Sequence, residues 1–298
     1  MILLSVVKPE GPQLAVKTPL GTLALPDARS QVPEGDSRVP RTLDEALAEP
    51  GGLERVRRYV DSVLSRVDVV KPLMRPENEV RIAVPFTPRS IICVGLNYRS
   101  HAAERGREVP ERPILFAKLR NSLIGPGEPI LLPPDTAMVD YEAELAVVIG
   151  RRCRRVSSEE ALDYVAGYSC LDDVSARDFQ RGDGQWLRAK SQDTFCPMGP
   201  YLVTRDEIPD PQTLGLRCWV NGELRQDSNT SEMIFPVKQL IAFISRGMTL
   251  EPGDVIGTGT PSGVGAARNP PAFLAEGDEV VVELERVGEL SNSVRKNV

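Results

Sequence analysis

The sequence predicts an α+β, β-rich protein with a small α+β domain at 1–78 ahead of a larger, mostly β domain at 79–298. Three observations carry this. Past residue 79, short apolar runs of strand length recur at Ile91–Val94, Ile114–Phe116, Leu145–Ile149, Tyr201–Thr204, Leu216–Val220 and Val280–Leu284. Only two helical patterns interrupt them, so the β-α-β alternation of a doubly wound sheet is missing, and no internal repeat is present. Before residue 79, three strand-like runs precede two stretches of helical spacing.

Taken in order, Met1–Val7 reads as a first strand stopped by Lys8-Pro9. It lacks the basic region and the small-residue cleavage site of a secretion signal. Leu14–Lys17 and Thr22–Leu25 read as strands around a turn at Pro19-Leu20-Gly21, followed by a Pro/Gly/Ser-rich loop from Pro26 to Pro40. Thr42 is placed to cap a helix opening at Leu43, and Leu53–Leu64 has apolar residues at helical spacing. The polar stretch Arg75-Pro76-Glu77-Asn78 marks the boundary. Later helices are expected near Ser158–Val165 and at Val237–Arg246, where Val237, Leu240, Ile241 and Ile244 form one core-facing stripe. Asn221-Gly222 is a hairpin turn.

Composition narrows the function. A net charge of −6 argues against a nucleic-acid or anionic-membrane partner, and the basic run Arg151-Arg152-Cys153-Arg154-Arg155 reads as a solvated loop. Five cysteines, odd in number and never in a Cys-x-x-Cys pair, argue against a disulfide framework or a thiolate metal site. No apolar run approaches the roughly 20 residues that span a bilayer, so a cytoplasmic location is the default expectation.

Four groups of residues bear chemistry. Glu142 and Glu144 head the apolar run that ends at Ile149, and on a strand they share one face about two rises of 3.3 Å apart. Paired like charges call for a cation, which a divalent metal supplies; a solvated polar strand face is the other reading. Asp173, beside Asp172, follows the apolar run Val165–Leu171 and can complete an all-oxygen site suited to Mg²⁺ or Mn²⁺. Nearby Arg177 and Lys190 can balance the excess negative charge and attract an acidic substrate, or can be ordinary surface bases.

The single histidine, His101, lies three residues before Glu104, on one face if the segment is helical. A carboxylate beside imidazole fixes its tautomer and raises its basicity; a surface histidine beside an exposed acid is the alternative. Finally, Gly257-Thr258-Gly259-Thr260-Pro261-Ser262-Gly263-Val264-Gly265 can bring backbone N–H groups close to an anion. It is not a dinucleotide fingerprint, because Pro261 interrupts the turn and no helix follows; a plain tight loop also accounts for it.

In order, Val94-Gly95-Leu96-Asn97-Tyr98, Asp140-Tyr141-Glu142-Ala143-Glu144, Asp173-Val174-Ser175-Ala176-Arg177-Asp178, Ala189-Lys190-Ser191, Asp193-Thr194-Phe195 and Gly257-Thr258-Gly259-Thr260-Pro261 resemble the fumarylacetoacetate hydrolase superfamily, in its bacterial acylpyruvase, isomerase and decarboxylase branch. The resemblance runs from Ile91 to the C-terminus. It implies a β-roll catalytic domain, a homodimer, and Mg²⁺ or Mn²⁺ on Glu142, Glu144 and Asp173. It also implies a catalytic His101–Glu104 pair on a segment that orders over substrate, with Lys190 as the active-site lysine, Gln180 facing substrate and Thr260 beside its carboxylate. Ala189 and Ser175 depart from residues frequent in the family, and neither removes a ligand.

The activity implied is metal-dependent cleavage of a C–C bond in a 2,4-dioxo acid through a stabilised enolate. Oxaloacetate-type decarboxylation, isomerisation of a 2-oxo diacid and a ureidoglycolate-type lyase reaction use the same site. A catalytically silent scaffold that binds a metal or a 2-oxo acid is the rival of a different class, and the intact residue set argues against it.

Overall fold

The computed structural model describes residues 1–33 and 38–297. Among these, an 11-stranded sheet runs in the order Gly21–Ala24, Gly11–Thr18, Ile2–Lys8, Cys196–Thr204, Val165–Asp172, Ala143–Ile149, Val255–Gly257, Ile91–Gly95, Ile114–Lys118. Ile82–Ala83 and Leu123–Ile124 pair beside this path. Neighbours are antiparallel except Val255–Gly257 with Ile91–Gly95 and Leu123–Ile124 with Cys196–Thr204, which are parallel. A second sheet of five strands is ordered Glu223–Asn229, Gly215–Val220, Glu279–Leu284, Gly288–Lys296, Ile130–Leu132. The expected β-rich α+β fold is the one found.

Both faces of the large sheet are buried. On one, Leu145, Val147 and Ile149 join the core shared with the second sheet and with Val237, Leu240, Ile241 and Ile244 of the helix Val237–Gly247. On the other, Ala146 and Val148 join a core built on Leu43, Leu47, Val56 and Val60 from the N-terminal helices. One strand thus contributes alternate residues to two cores, as pleating requires.

Thr42 caps its helix through the Glu45 amide, and the hairpin turn at Asn221-Gly222 joins the expected strand around Leu216–Val220 to Glu223–Asn229, a strand not among the expected runs. Two local readings are corrected. Ser158–Val165 holds only a 3-10 turn at Ala161–Tyr164: Ser157 and Glu160 do form a capping pair, but Val165 already opens a wholly buried strand. The loop assigned from Pro26 begins inside a helical turn, Leu25–Ala28, with the proline in its first turn where no amide is needed; residues 34–37 of that loop lie outside the described residues.

Pairing crosses the boundary placed at residue 78, since Ile2–Lys8 is bonded to Cys196–Thr204 and to Ile82–Ala83. The division into 1–78 and 79–298 is therefore a proposal about chain organisation, with one sheet running through both parts. No helix among the described residues is long and apolar enough to cross a membrane.

Candidate metal centre and active site

Register brings the acids together. Ala143 pairs with Asp172, which places Asp173 beside Glu142, and the Asp173 amide donates to the Glu142 carbonyl at 2.9 Å. Pleating puts Glu144 on the same face, and one carboxylate oxygen from each of Glu142, Glu144 and Asp173 falls within 4.8 Å of the others. All three are buried. Asp172 turns away; it accepts from the Glu142 amide at 2.8 Å, and burial pushes its carboxyl up to about 7.

Three buried cations stand around the triad. Lys190 Nζ donates to Glu142 Oε2 at 2.7 Å and Asp173 Oδ2 at 2.6 Å. Lys118 Nζ donates to Asp173 Oδ1 at 2.6 Å. Arg177 bridges Asp140 Oδ2 at 2.8 Å and Glu142 Oε1 at 2.6 Å. Burial alone would raise the Glu142 carboxyl, but Arg177 and Lys190 hold it well below the usual carboxylate range. Glu144 differs: among the described residues it has no cationic hydrogen-bond partner, only the Gly259 amide at 3.0 Å. Burial, with Asp173 and Glu142 close by, raises its carboxyl well above the ordinary value. Glu144 is thus the acid least compensated by the protein's own cations, and a triad of hard oxygens fits a divalent cation there.

The glycine-rich loop organises the rest. Its amides do meet anions, and the anions are the protein's own carboxylates: Gly259 N–H donates to Glu144, Gly263 N–H to Glu104 at 2.8 Å, and Gly265 N–H to Asp140 at 2.7 Å. Gly263 has φ +106°, and a Cβ there would lie 2.0 Å from the Arg225 carbonyl, so only glycine fits. The helix Arg99–Glu104 is docked against this loop. Glu104 Oε1 lies 2.7 Å from His101 Nδ1 while its other oxygen takes the Gly263 amide. Because the carboxylate only accepts, Nδ1 carries the hydrogen and Nε2 is left to take or give a proton.

A cavity of about 410 Å³ is lined by His101, Glu142, Glu144, Arg177, Gln180, Lys190 and Thr260, seven of the nine residues singled out from sequence. The other two stand behind it, Asp173 under the lysines and Glu104 behind His101. Phe116 and Trp186 pack edge to face at 5.2 Å on its wall. Sequence reasoning missed Lys118, whose burial at the end of a half-exposed strand has no local signal. It also missed Asp140, which binds Arg177 and three backbone amides, and Arg105 and Arg181 at the cavity mouth.

A family model described as fumarylacetoacetate (FAA) hydrolase C-terminal matches residues 90–295, a stretch that carries the triad, the dyad, Lys190 and the glycine loop. The chain belongs to the fumarylacetoacetate hydrolase family. Oxaloacetate tautomerase FAHD2B, mitochondrial, of Bos taurus is 47% identical over 260 residues, covering 86% of this chain and 80% of that protein. The solved fumarylacetoacetate hydrolase of Exiguobacterium antarcticum matches over 100% of both chains at 36% identity and TM-score 0.82. The 5-carboxymethyl-2-hydroxymuconate delta-isomerase of Mycobacterium smegmatis does so at 34% and 0.76. The protein is accordingly an enzyme of this superfamily, with a buried acidic triad able to hold a metal ion.

Proposed function

We propose that the enzyme interconverts the keto and enol forms of an oxaloacetate-type 2-oxo acid, using Mg²⁺ or Mn²⁺ on Glu142, Glu144 and Asp173. The observation that carries the chemistry is a set of side chains arranged to donate hydrogen bonds. Lys190 spends two of its three N–H groups on Glu142 and Asp173, Gln180 gives its carbonyl oxygen to Arg177 at 3.0 Å, and Thr260 Oγ1 accepts from Gln226 at 2.8 Å. Each is left with a donor, on the wall of one cavity. Such a lining favours the anionic oxygens of a 2-oxo acid and of its enolate over neutral groups.

When bound, the metal supplies a Lewis acid that favours negative charge on the substrate oxygens. The chain does the rest. Lys190, Gln180 and Thr260 hold the substrate oxygens; His101 Nε2, oriented by Glu104, takes the proton from C3 while the C2 oxygen gains one from solvent to give the enol, and ketonisation runs the same transfers in reverse. The docked helix keeps the reacting carbon away from water. The tautomerase relative, at 47% identity over most of both chains, favours this reaction.

Hydrolysis of the C–C bond in a 2,4-dioxo acid is the second reading, favoured by the hydrolase solved from Exiguobacterium antarcticum. There His101 would activate water for attack at C4, with the same donors facing the oxyanion. Assaying the protein with Mg²⁺ against enol-oxaloacetate and a panel of acylpyruvates separates the two. Faster ketonisation without C–C cleavage supports the first, cleavage alone supports the second, and turnover of neither leaves the silent scaffold.

We also propose a homodimer. It rests on the family and on Ile114–Lys118, the last strand of the large sheet, beside which Ile114, Leu119 and Leu187 are exposed.

A further inference from the structure

The mouth of the cavity holds three arginines, Arg105, Arg107 and Arg181, and none of their guanidinium groups makes a hydrogen bond or ion pair among the described residues. Arg188, just beyond the mouth, takes Asp183 at 2.6 and 2.7 Å, whereas these three, unlike the exposed arginines scattered over the surface, converge on one cavity. Three acids on the segments around the mouth are already engaged: Asp183 with Arg188, Glu104 with His101 and Gly263, and Asp178 with Thr136.

Two of the three are placed by the helices that build the site. Arg105 caps the helix that carries His101 and lies four residues beyond it; Arg181 lies four residues beyond Arg177 on the helix Arg177–Gly182. An offset of i to i+4 keeps a side chain on the same face about 6 Å farther along. Both helices therefore present one group at the acidic floor and one arginine a turn farther out. Arg105 is half-buried, and its desolvation together with repulsion from Arg177 lowers its pKa, a cost that a bound anion would offset. A planar guanidinium pair matches a carboxylate better than it matches any neutral tail.

We propose that Arg105 and Arg181 form the subsite for the second carboxylate of a short 2-oxo diacid, and that they set the enzyme's preference for diacids over 2-oxo monoacids. The inference rests on the 2-oxo acid reading above and assigns its specificity to named residues. Arg107, more exposed, adds to the attracting field.

The test compares wild type with Arg105→Met, Arg181→Met and the double variant, using oxaloacetate and its 4-methyl ester. Each single change should raise KM for oxaloacetate about tenfold, the scale of a lost charge-assisted hydrogen bond, with kcat and the ester's KM within about twofold. A second readout does not depend on turnover: calorimetry of 2-oxoglutarate and 2-oxobutyrate binding to the Mg²⁺-loaded protein. Wild type should prefer the diacid, and the double variant should not. Parallel shifts for diacid and ester, unchanged KM values, or no diacid preference in wild type overturn the subsite. If wild type fails to turn over oxaloacetate yet shows the calorimetric preference, the reaction reading falls and the subsite stands.

Discussion

The floor of the cavity and its mouth are built on opposite principles. At the floor, Glu142, Asp173, Asp140, Lys118, Lys190 and Arg177 are all buried, with opposite charges 2.6 to 2.8 Å apart. At the mouth, the guanidinium groups of Arg105, Arg107 and Arg181 make no ion pair among the described residues. Buried charges are held by their neighbours, because an uncompensated one costs several kcal/mol; charges in contact with water can wait for a ligand. Paired buried charge and unpaired accessible charge thus sit in different layers of one pocket.

Substitutions in the two layers should differ accordingly. Asp173→Ala leaves Lys118 and Lys190 without their shared partner and removes a metal oxygen. It should abolish activity and cost about 3–5 kcal/mol in denaturant unfolding, the range for breaking a buried pair, whereas Arg181→Met should stay within about 0.5 kcal/mol. Equal stabilities would erase the distinction. His101→Ala keeps every charge of the floor, so kcat should fall by roughly 10²–10⁴ while Mg²⁺ affinity, read by calorimetry, barely changes. A wild-type rate would place the proton transfer elsewhere.

Gly263→Ala acts one step further back. With its Cβ forced against the Arg225 carbonyl, the loop must move and Glu104 loses its backbone donor, so activity should drop, roughly tenfold, less than for His101→Ala. A still smaller effect is expected at Glu144. Burial and the neighbouring acids raise its carboxyl well above the ordinary carboxylate range in the folded protein, so the metal-free fold is penalised as pH rises from that range through the raised value. Glu144→Gln removes the penalty. The Tm of the chelated variant should gain on chelated wild type as pH increases, and a difference that is flat or shrinks with pH would contradict the assignment.

Much of the floor was legible because its logic is local. Glu142 and Glu144 are related by strand alternation, His101 and Glu104 by a helical turn, and Asp173 by its place at a strand end. The glycines of the 257–265 loop announced amide-to-anion contacts, although their anions turned out to be Glu144, Glu104 and Asp140. What could not be read depends on tertiary approach. Lys118 ends a strand whose other residues are at least partly exposed, so it reads as a surface lysine until Asp173 is folded against it. Arg105 and Arg181 read as solvated helix-end charges; only the meeting of two helices puts them at one mouth. The strand Ile2–Lys8 was seen, but nothing local reveals that it extends the large sheet through Cys196–Thr204.

The account stands most directly on one measurement, the rate of enol-oxaloacetate ketonisation by protein stripped with a chelator and then given back Mg²⁺ or Mn²⁺. Hard oxygens from Glu142, Glu144 and Asp173 predict loss of catalysis on stripping and its return with either ion. Full activity in the stripped protein, or no acceleration over buffer after either ion is restored, would contradict it.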